Sequence, residues 1–463
     1  MSERGTFASK IGVILAAAGS AVGLGNIWRF PTEAGSYGGS TFIIIYIACI
    51  LVFGLPIMLA EFMIGRSARA NSVGAYRVLA PGTPWVWLGR LTVWIPTLIL
   101  CYYNVVAGWT LNYATHAAIG HFDVLAQSGD GTVYAQYFAD FTASWWKQIV
   151  YLIAFMSLTH YIVTKGVNKG IERMSKLLMP GLFAIMLVLA ICALQMPGAE
   201  QALTFLFKPD FSKITAGVVL AALAQAFYSL SLAMGGLTTY ASYFSKDTNL
   251  GRSALSVGGV DLFVSIMAGI VIFPAVFSVI GLSPDAGASL IFVTLPQVFQ
   301  TAFGSVPGLP MIFSTAFYLL LVFATVTSTV SLHEAATAYF HEEYKISRRR
   351  AATYVSLFTC ILGCLCALSF GPLKEATLLG MTWFELFDYI TAKWLLPIAG
   401  MLISIFAGWR LTRAQQIDQL TNEGTLRFPL IGILRFLLRY FCPTAIAVIF
   451  FNELGVFKLL GLS

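Results

Sequence analysis

The sequence predicts an all-α integral membrane protein with eleven transmembrane helices. Hydrophobic residues make up 58% of its 463 residues and charged residues only 11%. Stretches of 18 or more mostly apolar residues recur along the chain, which is the length that crosses a bilayer as a helix. Most charged residues fall in the short loops between these stretches. The expected spans, numbered one to eleven, are 11–36, 40–66, 86–117, 147–164, 170–195, 213–242, 255–281, 311–342, 351–370, 383–409 and 431–458.

The basic residues predict the orientation of the spans. Most of the 28 Lys and Arg fall in the loops on the side of the N-terminus, and cytoplasmic loops carry such an excess. We therefore expect a cytoplasmic N-terminus and, because the number of spans is odd, an extracytoplasmic C-terminus. The first apolar run continues into Asn26 and Arg29 without a cleavage site, so we expect a retained span and no signal peptide.

Several classes of function find little support in the sequence. No hydrophilic stretch is long enough for a separate soluble domain, so residues 1–463 are expected to form one transmembrane domain. The basic residues are dispersed among loops, which does not favour nucleic-acid binding. The seven cysteines lie in apolar segments without disulfide or metal spacing. His333 and Glu334 could suggest a metalloprotease motif. Such a motif needs a second histidine four residues after His333, and that position is Thr337. We therefore expect no enzyme and name no catalytic residue.

Span one is interrupted at Gly19-Ser-Ala-Val-Gly23-Leu-Gly25. Each glycine costs a helix about 1 kcal/mol relative to alanine. Asn26 and Arg29 follow at membrane depth, where polar side chains are usually functional. Backbone groups freed by such a break must face protein, water or a ligand, which predicts a binding site made largely of backbone. A simple kink for helix packing would explain Gly19 and Gly23 but not the polar residues. A dinucleotide-binding loop would need a third glycine at position 28, where this chain has Trp28.

Span six contains a second interruption, at Gly235-Gly236, surrounded by small and hydroxyl residues. Two interrupted helices half a chain apart are typical of transporters built from inverted repeats. We expect two five-helix repeats, 11–195 and 213–409, followed by an extra span at 431–458. The site should lie between spans one and six near the bilayer midplane.

The run from Gly19 to Phe30 resembles the first helix of the neurotransmitter:sodium symporter family. Other stretches similar to family motifs are Glu61-Phe-Met-Ile-Gly-Arg66 in span two, Tyr102-Tyr103-Asn104 in span three and Thr327-Ser328-Thr329 in span eight. The resemblance covers spans one to ten and is specific at several separate motifs. The expected count of eleven spans resembles the family's bacterial amino-acid transporter branch. The resemblance implies a sodium-coupled symporter with alternating access in the bacterial inner membrane, and it implies that Glu61 hydrogen-bonds the broken helices.

The resemblance also implies two sodium sites and one substrate site. The first sodium site would contain Ala21, Asn26, Ser229 and Asp261, together with the substrate carboxylate. Sodium is a hard cation that prefers oxygen ligands, and the second site would use the hydroxyls and carbonyls of Gly19, Val22, Ala324, Thr327 and Ser328. The implied substrate-binding residues are Ser20, Ala21, Gly23, Gly25, Ile99, Tyr103, Val106, Tyr228, Ser229, Ser231, Met234, Ser328 and Leu332.

The gates are likewise implied by the resemblance. Arg29 and Asp388 match a pair that closes the outer vestibule, and Arg4 and Glu342 match its inner counterpart. The family's tryptophan beside the inner arginine is Phe7 here. Gly170 and Pro180 match a pattern that unwinds the inner half of span five. Residues 282–310 resemble the family's outer lid.

The residues alone leave several of these roles open. Ile99, Tyr103 and Val106 share one helical face, which ordinary core packing also explains. Asp261 could be a solvated acid at a helix end, and Pro180 could produce a passive kink. Glu61 could be an interfacial carboxylate, and the hydroxyls of span eight could bond to their own helix.

The pocket predicts the class of substrate. Gly23 stands where monoamine carriers of the family place an aspartate, so the substrate should bear its own carboxylate. The implied walls are large and apolar, and we expect neutral hydrophobic or aromatic L-amino acids. Asp261 replaces the family's usual asparagine and supplies a negative charge, so transport should not require chloride. The family's neighbouring chloride-site positions are Tyr46, Gln225, Ser229 and Ser265.

Two other functions remain open on the sequence. The first is an amino-acid sensor on the same fold, which would bind sodium and substrate without moving them. The second is sodium symport of another carboxylate-bearing solute, such as a betaine. A quaternary ammonium group would favour an aromatic cage, which the expected walls do not supply. The expected partners are thus a small-molecule substrate and the lipid bilayer, and the sequence gives no prediction of oligomeric state.

Overall fold

The computed structural model describes residues 7–278, 289–453 and 455, and these are almost entirely helical. The ends of predicted spans seven and eleven, the start of the predicted lid and Arg4 lie outside the described residues. The spans are the helices Lys10–Ala21 with Gly25–Ser36, Ser40–Ala68, Val86–Ala118, Trp145–Thr164, Val167–Ala193, Ala216–Ser229 with Gly236–Ala241, Leu250–Phe277, Leu309–Glu343, Arg348–Leu368, Trp383–Arg410 and Ile431–Asn452.

These helices confirm the predicted fold class. Eight described helices are long and apolar enough to cross a membrane on their own, and the two halves of span one make a ninth span, bent by 52° at its break. The remaining two predicted spans are the 20-residue helix Trp145–Thr164 and the two short helices of span six. The described part of the chain is therefore compatible with eleven spans.

Shorter helices lie between the spans. They are Ser72–Leu79, His121–Ala126, Thr132–Ala143, Ala199–Phe207, Leu290–Phe303 and Arg413–Thr421, with one 3₁₀ turn at Phe211–Lys213. Leu290–Phe303 falls within the stretch predicted to form the outer lid.

Among the described residues, wide helical turns precede prolines in five places. Each ends two residues before a proline, which lacks the N–H that would continue the normal ladder. In span one, for example, the backbone N–H of Phe30 donates to the carbonyl of Gly25, five residues earlier, and Pro31 follows. The five turns are Gly25–Arg29, Ile50–Gly54, Leu290–Thr294, Ile390–Leu395 and Leu437–Phe441. They let proline-containing helices continue across the membrane.

The interrupted spans lie at the centre of the packing. The first half of span one contacts spans five, seven and eight, and the second half of span six packs on span two. Span three packs against spans four, eight and nine. The broken segments are thereby enclosed by continuous helices, which is the condition for tolerating freed backbone groups at membrane depth.

A buried ion pair ties spans eight and nine together at the predicted cytoplasmic end. Glu334 has no exposed side-chain surface and forms a bidentate pair with the guanidinium of Arg348. The hydroxyl of Tyr243, just after span six, donates to the same carboxylate at 2.8 Å. The contact therefore joins the segment following span six to spans eight and nine.

Candidate functional site

The break in span one frees backbone groups that point to span three. Val22 has an extended backbone conformation, with φ −74° and ψ 112°. The amide of Leu24 donates to the hydroxyl of Tyr103 at 3.2 Å, and the amide of Gly23 donates to Asn26 Oδ1 at 3.0 Å. These amides and the tyrosine hydroxyl form a polar centre within an otherwise apolar wall.

The break in span six is longer than the two residues, Gly235 and Gly236, at which the sequence predicted it. The first helix ends at Ser229 and the second begins at Gly236, so the unwound segment covers the residues between them. Ser231 and Ala233 have positive φ angles of 51° and 63°, an uncommon conformation for side-chain-bearing residues. The hydroxyl of Ser231 donates to the carbonyl of Ser20 at 2.8 Å, which joins the two breaks.

Glu61 holds the unwound segment of span six. It is buried in span two, and its Oε1 accepts a hydrogen bond from the amide of Ala233 at 2.6 Å. The expected contact between this carboxyl group and a broken helix is thus present. Its other oxygen, Oε2, has no hydrogen-bond partner among the described residues.

A cluster of oxygens surrounds Asn26. Its Nδ2 carries two hydrogens but lies near four oxygens: Ser229 Oγ at 2.9 Å, Asp261 Oδ1 at 2.7 Å, Asp261 O at 3.2 Å and Ser265 Oγ at 3.0 Å. The hydroxyl of Tyr46 donates to Asp261 Oδ2 at 2.7 Å. The site has more acceptors than the amide can serve and includes a buried carboxyl group. This donor set fits a hard cation such as sodium.

A second oxygen cluster lies between the break of span one and span eight. Thr327 Oγ1 is 2.9 Å from the carbonyl of Ala324 and 3.4 Å from that of Val22. Ser328 Oγ is 3.1 Å from the same Val22 carbonyl. A Cβ added at Gly19 would lie 3.2 Å from Thr327 Cβ, so the two helices pack closely here. The structure therefore brings the oxygens of Val22, Ala324, Thr327 and Ser328 together beside Gly19, and these uncharged oxygens also suit sodium.

Two glycines leave the space for the site. A Cβ added at Gly23 would lie 2.4 Å from Ser328 Oγ and 3.0 Å from Tyr103 Oη. One added at Gly25 would lie 3.0 Å from the ring of Tyr228. Any side chain at these positions would enter the volume beside the polar centre.

A cavity of about 290 Å³ opens above the break toward the predicted outer side. Three predicted substrate contacts, Tyr103, Val106 and Tyr228, line it. Its other lining residues are Leu24, Trp28, Arg29, Thr32, Tyr102, Phe384 and Asp388. Three other predicted wall residues, Ile99, Met234 and Leu332, are buried and do not line this cavity.

Arg29 of the predicted outer gate has other partners than Asp388 in this structure. Arg29 pairs with Glu33 at 3.4 Å and lies over the ring of Tyr228, 4.8 Å from its centroid. Asp388 lines the same cavity, but no ion pair joins it to Arg29 among the described residues. The expected Arg29–Asp388 contact is therefore not made among the described residues, because the neighbouring Glu33 on the same helix takes the guanidinium, and the outer gate stays a prediction.

The predicted inner gate is described in part. Glu342 accepts hydrogen bonds from the amide of Asn71 at 2.9 Å and from its Nδ2 at 3.1 Å, while Arg4 is outside the described residues. Phe7, which replaces the family's tryptophan, packs edge-on against Tyr240 and Tyr243 with ring centroids 6.0 and 6.2 Å apart.

Span five is not unwound in this structure. The helix runs from Val167 through Pro180 to Ala193, with one wide turn at its start. A Cβ added at Gly170 would lie 2.1 Å from the carbonyl of Ile162, so the glycine allows close packing against span four. The predicted unwinding therefore requires a different conformation of the helix.

Three residues at the site, Ser331, Phe384 and Glu33, were not predicted from the sequence. Ser331 accepts a hydrogen bond from Ser20 at 2.8 Å, and its spacing of three residues from Ser328 on one helical face could have indicated it. Phe384 precedes Asp388 by one turn and lines the same cavity. Glu33 follows Arg29 by four residues, a spacing at which opposite charges pair.

Comparisons with known proteins agree with this arrangement. The model of the Sodium:neurotransmitter symporter family matches residues 4–122 and 138–462. A sodium-dependent transporter of Bacillus subtilis (strain 168), YhdH, is 35% identical over 451 residues, which cover 97% of this chain and 98% of the relative. The sodium-dependent neutral amino acid transporter B(0)AT3 of Mus musculus is 32% identical over 313 residues, covering 62% of this chain and 50% of the relative.

A solved structure is also similar over nearly the whole chain. The crystal structure of MhsT in complex with L-phenylalanine superposes with a TM-score of 0.88 at 42% sequence identity, covering 97% of this chain and 100% of MhsT. The family match, the two interrupted spans and the oxygen clusters all indicate a transporter and no enzyme. The chain belongs to the sodium:neurotransmitter symporter family and is a sodium-coupled, multi-pass membrane transporter.

Proposed function

We propose that this transporter imports neutral hydrophobic or aromatic L-amino acids across the bacterial inner membrane. The observation that carries the proposal is the contact between the Leu24 amide and the Tyr103 hydroxyl, 3.2 Å apart inside the break of span one. Both groups are donors, so a carboxylate placed beside them can accept from both. The similarity to MhsT, whose structure was solved with L-phenylalanine, supports the same class of substrate.

The walls around this polar centre favour an apolar side chain. Val106 and Tyr228 line the cavity, and the other predicted wall residues, Ile99, Met234 and Leu332, are apolar and buried. Methionine can repack around side chains of different shape, so one pocket can accept several amino acids. Ser20, Ala21 and Ser231 are placed at the breaks, where their backbone and hydroxyl groups suit the ammonium end of the substrate.

Two sodium ions are proposed to accompany the substrate. One would bind at Ala21, Asn26, Ser229 and Asp261, and the other at the cluster of Val22, Ala324, Thr327 and Ser328 with Gly19. Each charge moving inward gains about 2.3 kcal/mol per 100 mV of membrane potential. Each tenfold sodium gradient adds about 1.4 kcal/mol per ion. Two ions can therefore drive a neutral substrate to high accumulation.

Chloride is proposed not to be required. The carboxyl group of Asp261 lies 2.7 Å from the Tyr46 hydroxyl and 2.7 Å from Asn26 Nδ2. A negative charge within the first ion cluster would offset the sodium charge without a bound anion. Alternating access would then proceed by closure of Arg29 on Asp388 outside and by opening of the Arg4 and Glu342 region inside, with unwinding of span five at Gly170 and Pro180.

Uptake into proteoliposomes tests the proposal. Labelled L-phenylalanine, leucine, tyrosine, tryptophan and a betaine would be offered with an inward sodium gradient, with potassium replacing sodium, and without chloride. We expect sodium-dependent accumulation of one or more of the amino acids with and without chloride. Sodium-dependent binding without accumulation would instead identify a sensor, and accumulation of the betaine alone would identify a carrier of another solute.

A further inference from the structure

A separate groove lies on the outside of the helix bundle, at the predicted cytoplasmic ends of spans three, eight and nine. It encloses a cavity of about 470 Å³. Trp94, Tyr354 and Phe358 form much of its wall and are 51%, 55% and 40% exposed. Because they are exposed on helices that span the membrane, we expect these aromatic side chains to meet lipid. Tyr339 and Phe340 at the end of span eight also line the groove.

The groove carries positive charge at its cytoplasmic end. The guanidinium of Arg90 lines it and stacks over Trp87, 4.3 Å from the ring centroid. Arg350 is exposed at the start of span nine, four residues before the lining residue Tyr354 and outside the lining itself. Among the described residues neither arginine has a carboxylate partner. The nearby Glu343 is already paired with Arg77 at 2.8 Å.

Spans three and nine form two walls of the groove, and both carry an arginine followed by aromatic residues at a spacing of four. Arg90 is followed by Trp94 after four residues, and Arg350 is followed by Tyr354 and Phe358 at the same spacing. Residues four apart lie on one face of a helix, one turn above the other. Each wall thus places a cation at the membrane boundary and aromatic rings one or two turns deeper. The rings of Trp94 and Phe358 meet edge-on across the groove, with centroids 5.9 Å apart.

The depth of the groove matches one leaflet of a bilayer. Phe358 lies eight positions after Arg350, which is a rise of about 12 Å along the helix. The hydrocarbon core is about 30 Å thick, so one leaflet contributes about 15 Å. Basic sites between transmembrane helices on the cytoplasmic side bind anionic headgroups, and the apolar cavity below the arginines can accept an acyl chain.

We propose that this groove binds an anionic phospholipid of the cytoplasmic leaflet. Its phosphate would lie between Arg90 and Arg350, and one acyl chain would pack on Trp94, Tyr354 and Phe358. The binding is independent of the transported solute, because the groove is lined by residues outside the predicted substrate and ion sites. If the groove does not bind this lipid, the proposed transport function is not affected.

Native mass spectrometry of the detergent-solubilised transporter tests the lipid site. The protein would be incubated with equal amounts of dioleoylphosphatidylglycerol and dioleoylphosphatidylcholine. We expect one phosphatidylglycerol adduct to survive in preference to phosphatidylcholine. An arginine near an anionic surface contributes a factor of about five in binding, so the double variant Arg90→Gln/Arg350→Gln should reduce this preference by about twentyfold or more.

Arg349→Gln provides a matched control, since Arg349 is also exposed but is adjacent to Arg350 and so points to a different face of span nine. This variant should keep the preference. Dihexanoylphosphatidylglycerol has the same headgroup and short chains, and should be retained at least fivefold less than the dioleoyl lipid. Equal retention of the two headgroups, equal loss in Arg349→Gln, or equal retention of the short-chain lipid would each overturn the proposal.

Discussion

The carboxyl group of Asp261 in span seven lies 2.7 Å from the side-chain nitrogen of Asn26, directly after the break in span one. The same carboxyl group accepts from Ser229 in span six at 2.5 Å. One buried acid therefore connects both interrupted helices to a continuous one. Any cation bound among these oxygens would stabilise the three helices in one arrangement, which couples ion binding to the shape of the site.

Asp261→Asn tests the charge of this cluster. The substitution keeps the size of the side chain and removes its negative charge. We expect the half-saturating sodium concentration to rise about tenfold, equivalent to a loss of about 1.4 kcal/mol, and uptake to become dependent on chloride. The measurement is sodium-dependent uptake of labelled L-phenylalanine in proteoliposomes with chloride or with gluconate.

Ser265→Ala serves as the control for Asp261→Asn, because Ser265 also contacts Asn26, at 3.0 Å, but carries no charge. It should weaken sodium binding without creating a chloride requirement. Unchanged sodium and chloride dependence in Asp261→Asn would show that the carboxylate does not supply the charge of the site.

The two breaks could be predicted from sequence, because glycines and polar residues within an apolar run are local signals. The ion-site residues are implied by the family resemblance and stay a prediction. The limits of the unwound segment in span six could not be predicted from sequence. Ser231 and Ala233 adopt positive φ angles that their residue types do not indicate, and tertiary contacts such as the Glu61–Ala233 bond hold them there. The partner of Arg29 depends on the conformation of the vestibule, which a sequence does not specify.

Tyr103→Phe tests the proposed carboxylate contact. The variant keeps the ring and removes the hydroxyl that lies 3.2 Å from the Leu24 amide. A hydrogen bond to a charged group contributes about 1.5–3 kcal/mol, so the affinity for L-phenylalanine should fall by at least tenfold. Equilibrium binding of the labelled amino acid in saturating sodium measures this change.

Tyr102→Phe is the matched variant for Tyr103→Phe. Tyr102 lines the same cavity, but its hydroxyl contacts Thr391 at 3.4 Å, away from the break. Tyr102→Phe should change the affinity for L-phenylalanine by less than Tyr103→Phe does. Equal losses in the two variants would argue against a specific role of the Tyr103 hydroxyl.

Gly23→Ala tests whether the site needs the space that this glycine leaves. The added methyl group would lie 2.4 Å from Ser328 Oγ and 3.0 Å from Tyr103 Oη. We expect L-phenylalanine binding to fall by at least tenfold while the protein still folds. The comparison is Gly259→Ala in span seven, where a Cβ meets nothing within 4 Å. That variant should bind normally, and a similar loss there would point to a general effect of removing glycine.

Arg348→Gln tests the buried ion pair with Glu334. The change leaves a fully buried carboxyl group without its cation, which typically costs about 3–5 kcal/mol. We expect a clearly lower thermal unfolding temperature in detergent. Arg77→Gln breaks the more exposed pair with Glu343 and should cost no more than about 1 kcal/mol. The double variant Glu334→Leu/Arg348→Met should recover much of the stability, because it removes both charges together.

Asp388→Asn tests closure of the outer vestibule. We expect sodium with L-phenylalanine to move Arg29 from Glu33, its partner at 3.4 Å, to Asp388 on the other wall of the cavity. A cysteine introduced as Thr32→Cys, which also lines that cavity, would report closure by slower reaction with a charged thiol reagent. Substrate protection should be several-fold in the Thr32→Cys protein and lost when Asp388→Asn is added. Adding Glu33→Gln instead should preserve the protection, because it removes the competing partner. Protection that survives Asp388→Asn would show that the vestibule closes without this pair.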